Sequence, residues 1–246
     1  LTAHLQSLSK TVMERYQFTS DDLAIDIGCN DGTLLKGFRD CGIRVLGIDP
    51  AENLAQLAAQ SGIDRMVAFF DSKTASEILT QWGQASVITA TNTFPHIPDL
   101  SDFLTGIKLV LAPQGVLVME MHYLVDLVDQ RAIDTVYHEH VSYWALKPMK
   151  KLLDRFDLEI THVERIPIHQ GQIRVFVQHQ GTSLLNDSVE QLLTHEDDLG
   201  IGDFQTFQDL SNEAQVMKDN LSNTLRELKS QGKSLAAYGA PAKGST

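Results

Sequence analysis

Apolar positions along the chain change period several times, and each change marks an element. Leu5, Leu8, Val12, Met13 and Tyr16 recur at helical spacing, which predicts a helix over residues 1–18. Leu23-Ala24-Ile25-Asp26-Ile27-Gly28 is then a short, nearly continuous apolar run, a buried strand that ends in glycine. Helical spacing resumes from Thr33 to Asp40. The alternation continues with a strand at Val45–Asp49, a helix at 53–60, a strand at Met66–Phe70 and a helix at Ala75–Gln81. A strand at Ala85–Ala90, a helix at Leu100–Leu111, a turn at Pro113-Gln114-Gly115 and a fifth strand at Val116–Glu120 complete it. Strands and helices alternating at this length predict an α/β, Rossmann-like parallel sheet covered on both faces.

After residue 145 the pattern alters. Lys147–Phe156 reads as a helix. Glu159–Arg165 and Gln172–Gln178 read as two strands whose short connection suits antiparallel pairing. Residues 186–231 are largely helical and polar, with Leu192, Leu199, Leu210, Val216, Leu221, Leu225 and Leu228 as the apolar stripe. Ser234–Tyr238 begins another strand. The expected division is a main domain over 1–183, a helical extension over 184–233 and the start of a second nucleotide-fold domain over 234–246. Leu1 is not a methionine, no signal-peptide pattern follows it, and both ends read as cuts in a longer polypeptide.

Composition narrows the function classes. The 246 residues are 43% hydrophobic and 21% charged, and the formal net charge is −12. That acidic balance argues against broad contact with a phosphate backbone, hence against nucleic acid as a partner. No apolar run reaches the ~18 residues that span a bilayer, so no membrane partner is expected. The two cysteines, Cys29 and Cys41, build neither a four-cysteine zinc site nor a disulfide framework, and a cytoplasmic setting fits. Nothing in the sequence fixes the oligomeric state.

The first strand-to-helix turn carries chemistry. It reads Asp26-Ile27-Gly28-Cys29-Asn30-Asp31-Gly32-Thr33. Glycines there let a backbone approach a ligand beyond the carboxyl ends of the strands. Asp49 ends the second strand, 17 residues after Gly32, where a carboxylate can accept from both ribose hydroxyls. Dinucleotides and S-adenosylmethionine both use this plan. A dinucleotide needs G-x-G-x-x-G to seat a pyrophosphate on the helix start. Here Asp31 faces that start, and an acid repels a pyrophosphate but tolerates a sulfonium and an amino group. The bland alternative is a tight turn with a capping Asp31 and no ligand; Asp26, Asn30 and Asp49 together make it the minority reading. Cys29 reads as a small packing residue.

A second constellation follows the fifth strand: Tyr137-His138-Glu139-His140-Val141-Ser142-Tyr143-Trp144. If this segment is extended, His138 and His140 face one way and Tyr137 and Glu139 the other. Histidine exchanges protons near neutrality. A base site with His140 or Glu139 supported by Tyr137 and a polar connecting loop are equally compatible with the spacing. A metal held by His138 and His140 ranks third, for want of a third ligand. His96, a lone loop histidine after the fourth strand, gains weight from that position. Lys147, Lys150, Lys151 and Arg155 read as a solvated helix face. His122, His162, His179 and His195 join no constellation.

Five runs occur in order: Asp26–Leu35, Gly47–Asn53, Asn92-Thr93-Phe94-Pro95-His96-Ile97-Pro98-Asp99, Tyr137–Tyr143 and Gly239-Ala240-Pro241-Ala242-Lys243-Gly244. The set resembles the S-adenosylmethionine-dependent C-methyltransferases that act on nucleotide-linked deoxysugars, over nearly the whole chain. The resemblance implies a class I methyltransferase sheet, mostly parallel with antiparallel strands at its C-terminal side and a helical extension. It places Asp26, Gly28, Asn30, Asp31, Gly32, Asp49 and Asn92 at the cofactor. His96 falls beside the reacting centre, and Tyr137, Glu139 and His140 match the acid/base group. Arg174, His169 and Lys243 fall on the nucleotide-sugar substrate. No metal is implied for the transfer. Departures are local. His169-Gln170-Gly171-Gln172 stands where the family has His-Gly-Gly-Ser, Ile133 stands where an aromatic residue is common, and the family's N-terminal four-cysteine zinc module is absent from this sequence. The implied activity is methylation of a carbon beside a ketone, with His140 as base and His96 or Tyr137 at the developing oxyanion. O- or N-methylation of another small metabolite, and cofactor binding without catalysis, are the alternatives.

Overall fold

The computed structural model describes residues 2–53, 62–168 and 171–239. Seven strands form one sheet: β1 (Leu23–Ile27), β2 (Arg44–Ile48), β3 (Asp64–Met66), β4 (Ala85–Thr91), β5 (Leu111–His122), β6 (Leu158–Ile166) and β7 (Gln172–His179). Their order across the sheet is β3-β2-β1-β4-β5-β7-β6. The first five run parallel, and β7 inserts antiparallel between β5 and β6. The Rossmann-like sheet expected from the sequence is therefore present, with its antiparallel strands on the C-terminal side.

Strand alternation sends side chains to two separate cores. Ala24, Val87, Val116, Val118 and Phe176 pack under helices α1 (Thr2–Tyr16) and α2 (Thr33–Asp40). Leu23, Ile25, Leu117, Met119, Val175 and Val177 face the other way. There they meet α3 (Ser72–Trp82), α4 (Leu100–Val110), α6 (Leu146–Asp154) and α7 (Asp187–Asp198). α5 (Leu124–Asp129), a short helix after β5, has no counterpart in the periodicity because six residues are too few to show one.

Several boundaries differ from expectation. β3 ends at Met66, and Val67 and Phe69 are exposed beyond it. The Pro113-Gln114-Gly115 turn lies inside β5 as an irregularity: Ala85 pairs with Leu111 but Val87 with Val116, so extra residues bulge out. Pro113 has no N–H for the ladder there. Residues 233–239 form no strand, and Leu235 and Tyr238 are exposed, because no neighbouring strand among the described residues meets them. The helical stretch divides at Gly200. α7 docks on the sheet, its Glu196 accepting from Tyr123 Oη at 2.9 Å and from the main-chain nitrogen of Lys147 at 3.0 Å. α8 (Phe204–Ser230) buries no residue fully: Val216, Leu221 and Leu225 of its expected stripe are exposed, and Leu210 and Leu228 are half-buried. The helix expected over 53–60 falls almost wholly outside the described residues. Among the described residues, no helix is long and apolar enough to cross a membrane.

Candidate active site

The β1–α2 turn is built by two left-handed glycines. Gly28 has φ +79° and Gly32 +76°. A Cβ on Gly28 would collide with the Thr93 hydroxyl, so only glycine lets the chain pass beneath the loop after β4. The turn is fastened to β2 by Gly28 N–H to Ile48 O at 2.8 Å. Asp49 continues the fastening. Its carboxylate accepts from the main-chain nitrogens of Asn30 and Ala51, each at 2.9 Å, and pairs with Arg65 at 3.1 Å. Arg65 also donates to the carbonyls of Asn30, Asp49 and Ala51. Sequence reading missed this arginine; its only signal was a cation on the strand next to β2.

Charge at the turn is graded. Asp31 accepts from the Thr33 hydroxyl at 2.7 Å, which holds its pKa below the ordinary carboxylate value and keeps it ionised. Asp26 is buried below the turn. Burial pushes its pKa up to about 7, against the lowering effect of the Thr89 hydroxyl 2.7 Å away, and Asp49 raises it further. Burial likewise drives the Cys29 thiol to about 12, so Cys29 is a packing residue.

A cavity of about 450 Å³ opens at the carboxyl ends of β1, β2 and β4. Gly28, Ile48, Phe69, Phe70, Phe103 and His96 are among its walls. Asp71 and Asp99, the caps of α3 and α4, close one side. The size and apolar aromatic wall suit a purine, Gly28 of the turn is part of that wall, and the carboxylates of Asp31 and Asp49 stand on the adjoining turn and strand end. The residues present fit S-adenosylmethionine.

The His-rich loop meets this cavity through His96. Val141 and Ser142 donate their N–H groups to Pro95 O at 3.0 and 3.3 Å, and His96 Nδ1–H donates to Glu139 O at 2.7 Å. The segment is not extended: His140 N–H bonds back to Tyr137 O at 3.1 Å, closing a turn. Tyr137 and His140 therefore share one side, their ring centroids 4.5 Å apart, while His138 and Glu139 are exposed. This corrects the alternation expected of an extended run. His96 stands 5.0 Å and His122 5.2 Å from the His140 ring, and Tyr143 6.0 Å. His122 ends β5, a place where parallel-sheet enzymes gather functional groups, and that was its only signal in the sequence.

Asn92, held at φ +54°, accepts from Gln172 Nε2 at 2.6 Å. Arg174 is buried and bonded to Glu120 at 2.6 Å and Glu164 at 2.9 Å. His4 on α1 completes the pairing of Glu120 at 2.7 Å. Glu120 thus joins His4 of α1 to Arg174 of β7. His169 and Lys243 lie outside the described residues. No group of three or more His, Cys, Asp or Glu among the described residues is placed to hold a metal ion.

A family model described as a methyltransferase domain matches residues 8–163. The chain belongs to the methyltransferase domain family. A second model, described as a C-methyltransferase C-terminal domain, matches residues 167–246 of the chain. The C-methyltransferase NovU of Streptomyces niveus is 33% identical over 98% of this chain, which spans 58% of that relative. A ubiquinone biosynthesis O-methyltransferase of Rhodopseudomonas palustris is 30% identical over 66% of this chain and 61% of its own length. Among solved structures, the magnesium protoporphyrin IX methyltransferase of Synechocystis, with bound S-adenosylhomocysteine, aligns over 72% of this methyltransferase and 82% of its own chain. Its TM-score is 0.53 at 14% identity, which shows the shared fold. The ligand of that neighbour is the demethylated form of S-adenosylmethionine, the cofactor that the turn chemistry of this chain indicates.

Proposed function

We propose that this chain methylates a carbon beside the ketone of a nucleotide-linked keto-deoxysugar. The observation that carries the reading is the placement of Tyr137 and His140 on one side of a loop hydrogen-bonded, through Glu139 and Pro95, to the wall of the cofactor cavity. The C-methyltransferase match beyond residue 167 supports carbon as the acceptor atom. The resemblance of the Tyr137–Tyr143 and Gly239–Gly244 runs supports a nucleotide sugar.

Gly28, Asp31, Asp49 and the Phe69–Phe70 wall would hold S-adenosylmethionine, which supplies an electrophilic methyl group that an enolate carbon displaces from sulfur. The protein's own groups prepare that carbon. His140 Nδ1–H is committed to Thr135 O, so Nε2 bears the lone pair of the neutral ring and takes the C–H proton. The electron pair left behind is drawn to the carbonyl oxygen. Tyr137 is the better donor to that oxygen. Its pKa is raised, by burial first and by Glu139 next, so its hydroxyl stays protonated. His96, whose Nδ1–H already serves Glu139 O, presents an acceptor at Nε2 while neutral. It lines the cavity rather than donating. The proton leaves His140 for water after transfer.

The test is product analysis with isotope-labelled methyl donor and a nucleotide-linked keto-deoxysugar. A labelled methyl carbon coupled to a ring carbon supports the assignment. A label on oxygen or nitrogen moves the enzyme to the O- or N-methyltransferase reading.

A further inference from the structure

His122 is the group that neither the cofactor site nor the Tyr137–His140 pair has absorbed. It closes β5, so its main chain is fixed by the ladder, with Gln172 of β7 directly opposite. Gln172 is fully buried and spends its amide on Asn92. His122 therefore stands on rigid sheet, whereas His140 stands on a loop. Their ring centroids are 5.2 Å apart, with the planes inclined by 51°. At that separation two imidazolium charges repel, so a proton on one ring opposes a proton on the other.

We propose that His122 is a positioning residue that acts through His140: it shares one proton with His140 and so keeps the His140 ring in its neutral, proton-accepting form near neutrality. Among the described residues, the groups around the pair are mostly neutral or matched elsewhere. Tyr137 and Tyr143 both have raised pKa values, chiefly from burial, and stay neutral. Gln172 carries no charge. His96 reaches the pair from the turn after β4 at 5.0 Å from the His140 ring. Glu139 and Asp134 are the carboxylates of the His140 loop, and Glu139 is exposed. Glu120, two residues back along β5, is already matched by Arg174 and His4. The consequence for catalysis rests on His140 being the base, but the coupling is read without substrate.

The experiment is a heteronuclear NMR titration of the histidine rings over about pH 5–9, in the parental chain and in His122→Asn. The expected result is that removing His122 raises the midpoint of His140 by roughly half a pH unit, with His179 unmoved. An unchanged His140 midpoint overturns the proposal. If His122→Asn does not fold, the parental curves decide. Coupled rings titrate in two shared steps, each visible on both residues. Two independent single-proton curves overturn it. A failed methylation assay leaves this outcome untouched, so the two readings fail separately.

Discussion

The Nδ1–H of His140 donates to the main-chain carbonyl of Thr135 at 2.9 Å. A carbonyl only accepts, so this one bond sets the tautomer, and Nε2 holds the lone pair. Thr135 is itself held, its hydroxyl donating to Ala132 O at 2.7 Å, and Tyr143 Oη donates to the same Thr135 carbonyl at 3.3 Å. The proposed base is thus oriented by a main-chain carbonyl, while Glu139 is exposed and acts on the Tyr137 hydroxyl.

Asp49 is expected to govern cofactor affinity. Asp49→Ala removes a charged acceptor and frees Asn30 and Ala51, so S-adenosylmethionine binding should weaken by roughly 10–100-fold, on the order of 1.5–3 kcal/mol. Calorimetry on the variant measures it. Affinity equal to the parent's would place the ribose elsewhere.

Gly28→Ala should abolish cofactor binding. A methyl group there meets the Thr93 hydroxyl, and φ +79° strains any L side chain. Because Thr93 also donates to Ile27 O at 3.0 Å, the loop after β4 cannot move away without breaking that bond. Gly83→Ala, also at positive φ but with open space around it, is the control and should bind normally.

Asp26 predicts a pH-dependent stability. Its pKa rises from 3.8 to about 7 on folding, chiefly through burial. The folded chain therefore binds a proton that the unfolded chain has released. Its stabilising contribution is complete below about pH 4 and is lost as pH rises through 7. Asp26→Asn should flatten the Tm profile across that window and be the more stable protein at pH 8. Parallel Tm profiles for the two proteins would show that Asp26 is ionised in the fold.

Glu196→Ala tests the docking of α7. The Glu196 carboxylate receives Leu146 N–H at 2.5 Å, Lys147 N–H at 3.0 Å and the Tyr123 hydroxyl, at the start of α6. Its loss leaves buried donors without partners and should cost about 2–4 kcal/mol. Denaturant unfolding reads this directly. A loss below about 0.5 kcal/mol would mean that the carboxylate is replaced by water.

Period and spacing make the sheet and the glycine turn after β1 legible in the sequence. β1, β2, β4, α2 and α4 fall where the apolar runs placed them, because each carries a full buried face. The failures have local physical causes. Met66–Phe70 reads as strand because Val67 and Phe69 are apolar, yet both lie exposed beyond the end of β3, and Phe69 becomes a cavity wall. The Tyr137–His140 run, if extended, pairs His138 with His140 and Tyr137 with Glu139, and the turn that pairs Tyr137 with His140 instead leaves no periodic trace. His122 carries no local motif at all; only the three-dimensional meeting of β5 with the loop reveals it. Arg174, expected on the substrate, is buried and ion-paired with Glu120, its partner in register across β5–β7.

The measurement that bears most directly on base-assisted carbon methylation is solvent exchange without methyl transfer. A nucleotide-linked keto-deoxysugar is incubated in deuterated water with this chain and S-adenosylhomocysteine, and deuterium at the carbon beside the ketone is followed by NMR. The parental protein should exchange that position. His140→Gln should fold, retain cofactor affinity and lose exchange by roughly 10²–10⁴-fold. Exchange at the parental rate in His140→Gln would contradict His140 as the base, and no exchange in the parental protein, with cofactor product and sugar both shown to be bound, would contradict the enolate chemistry itself.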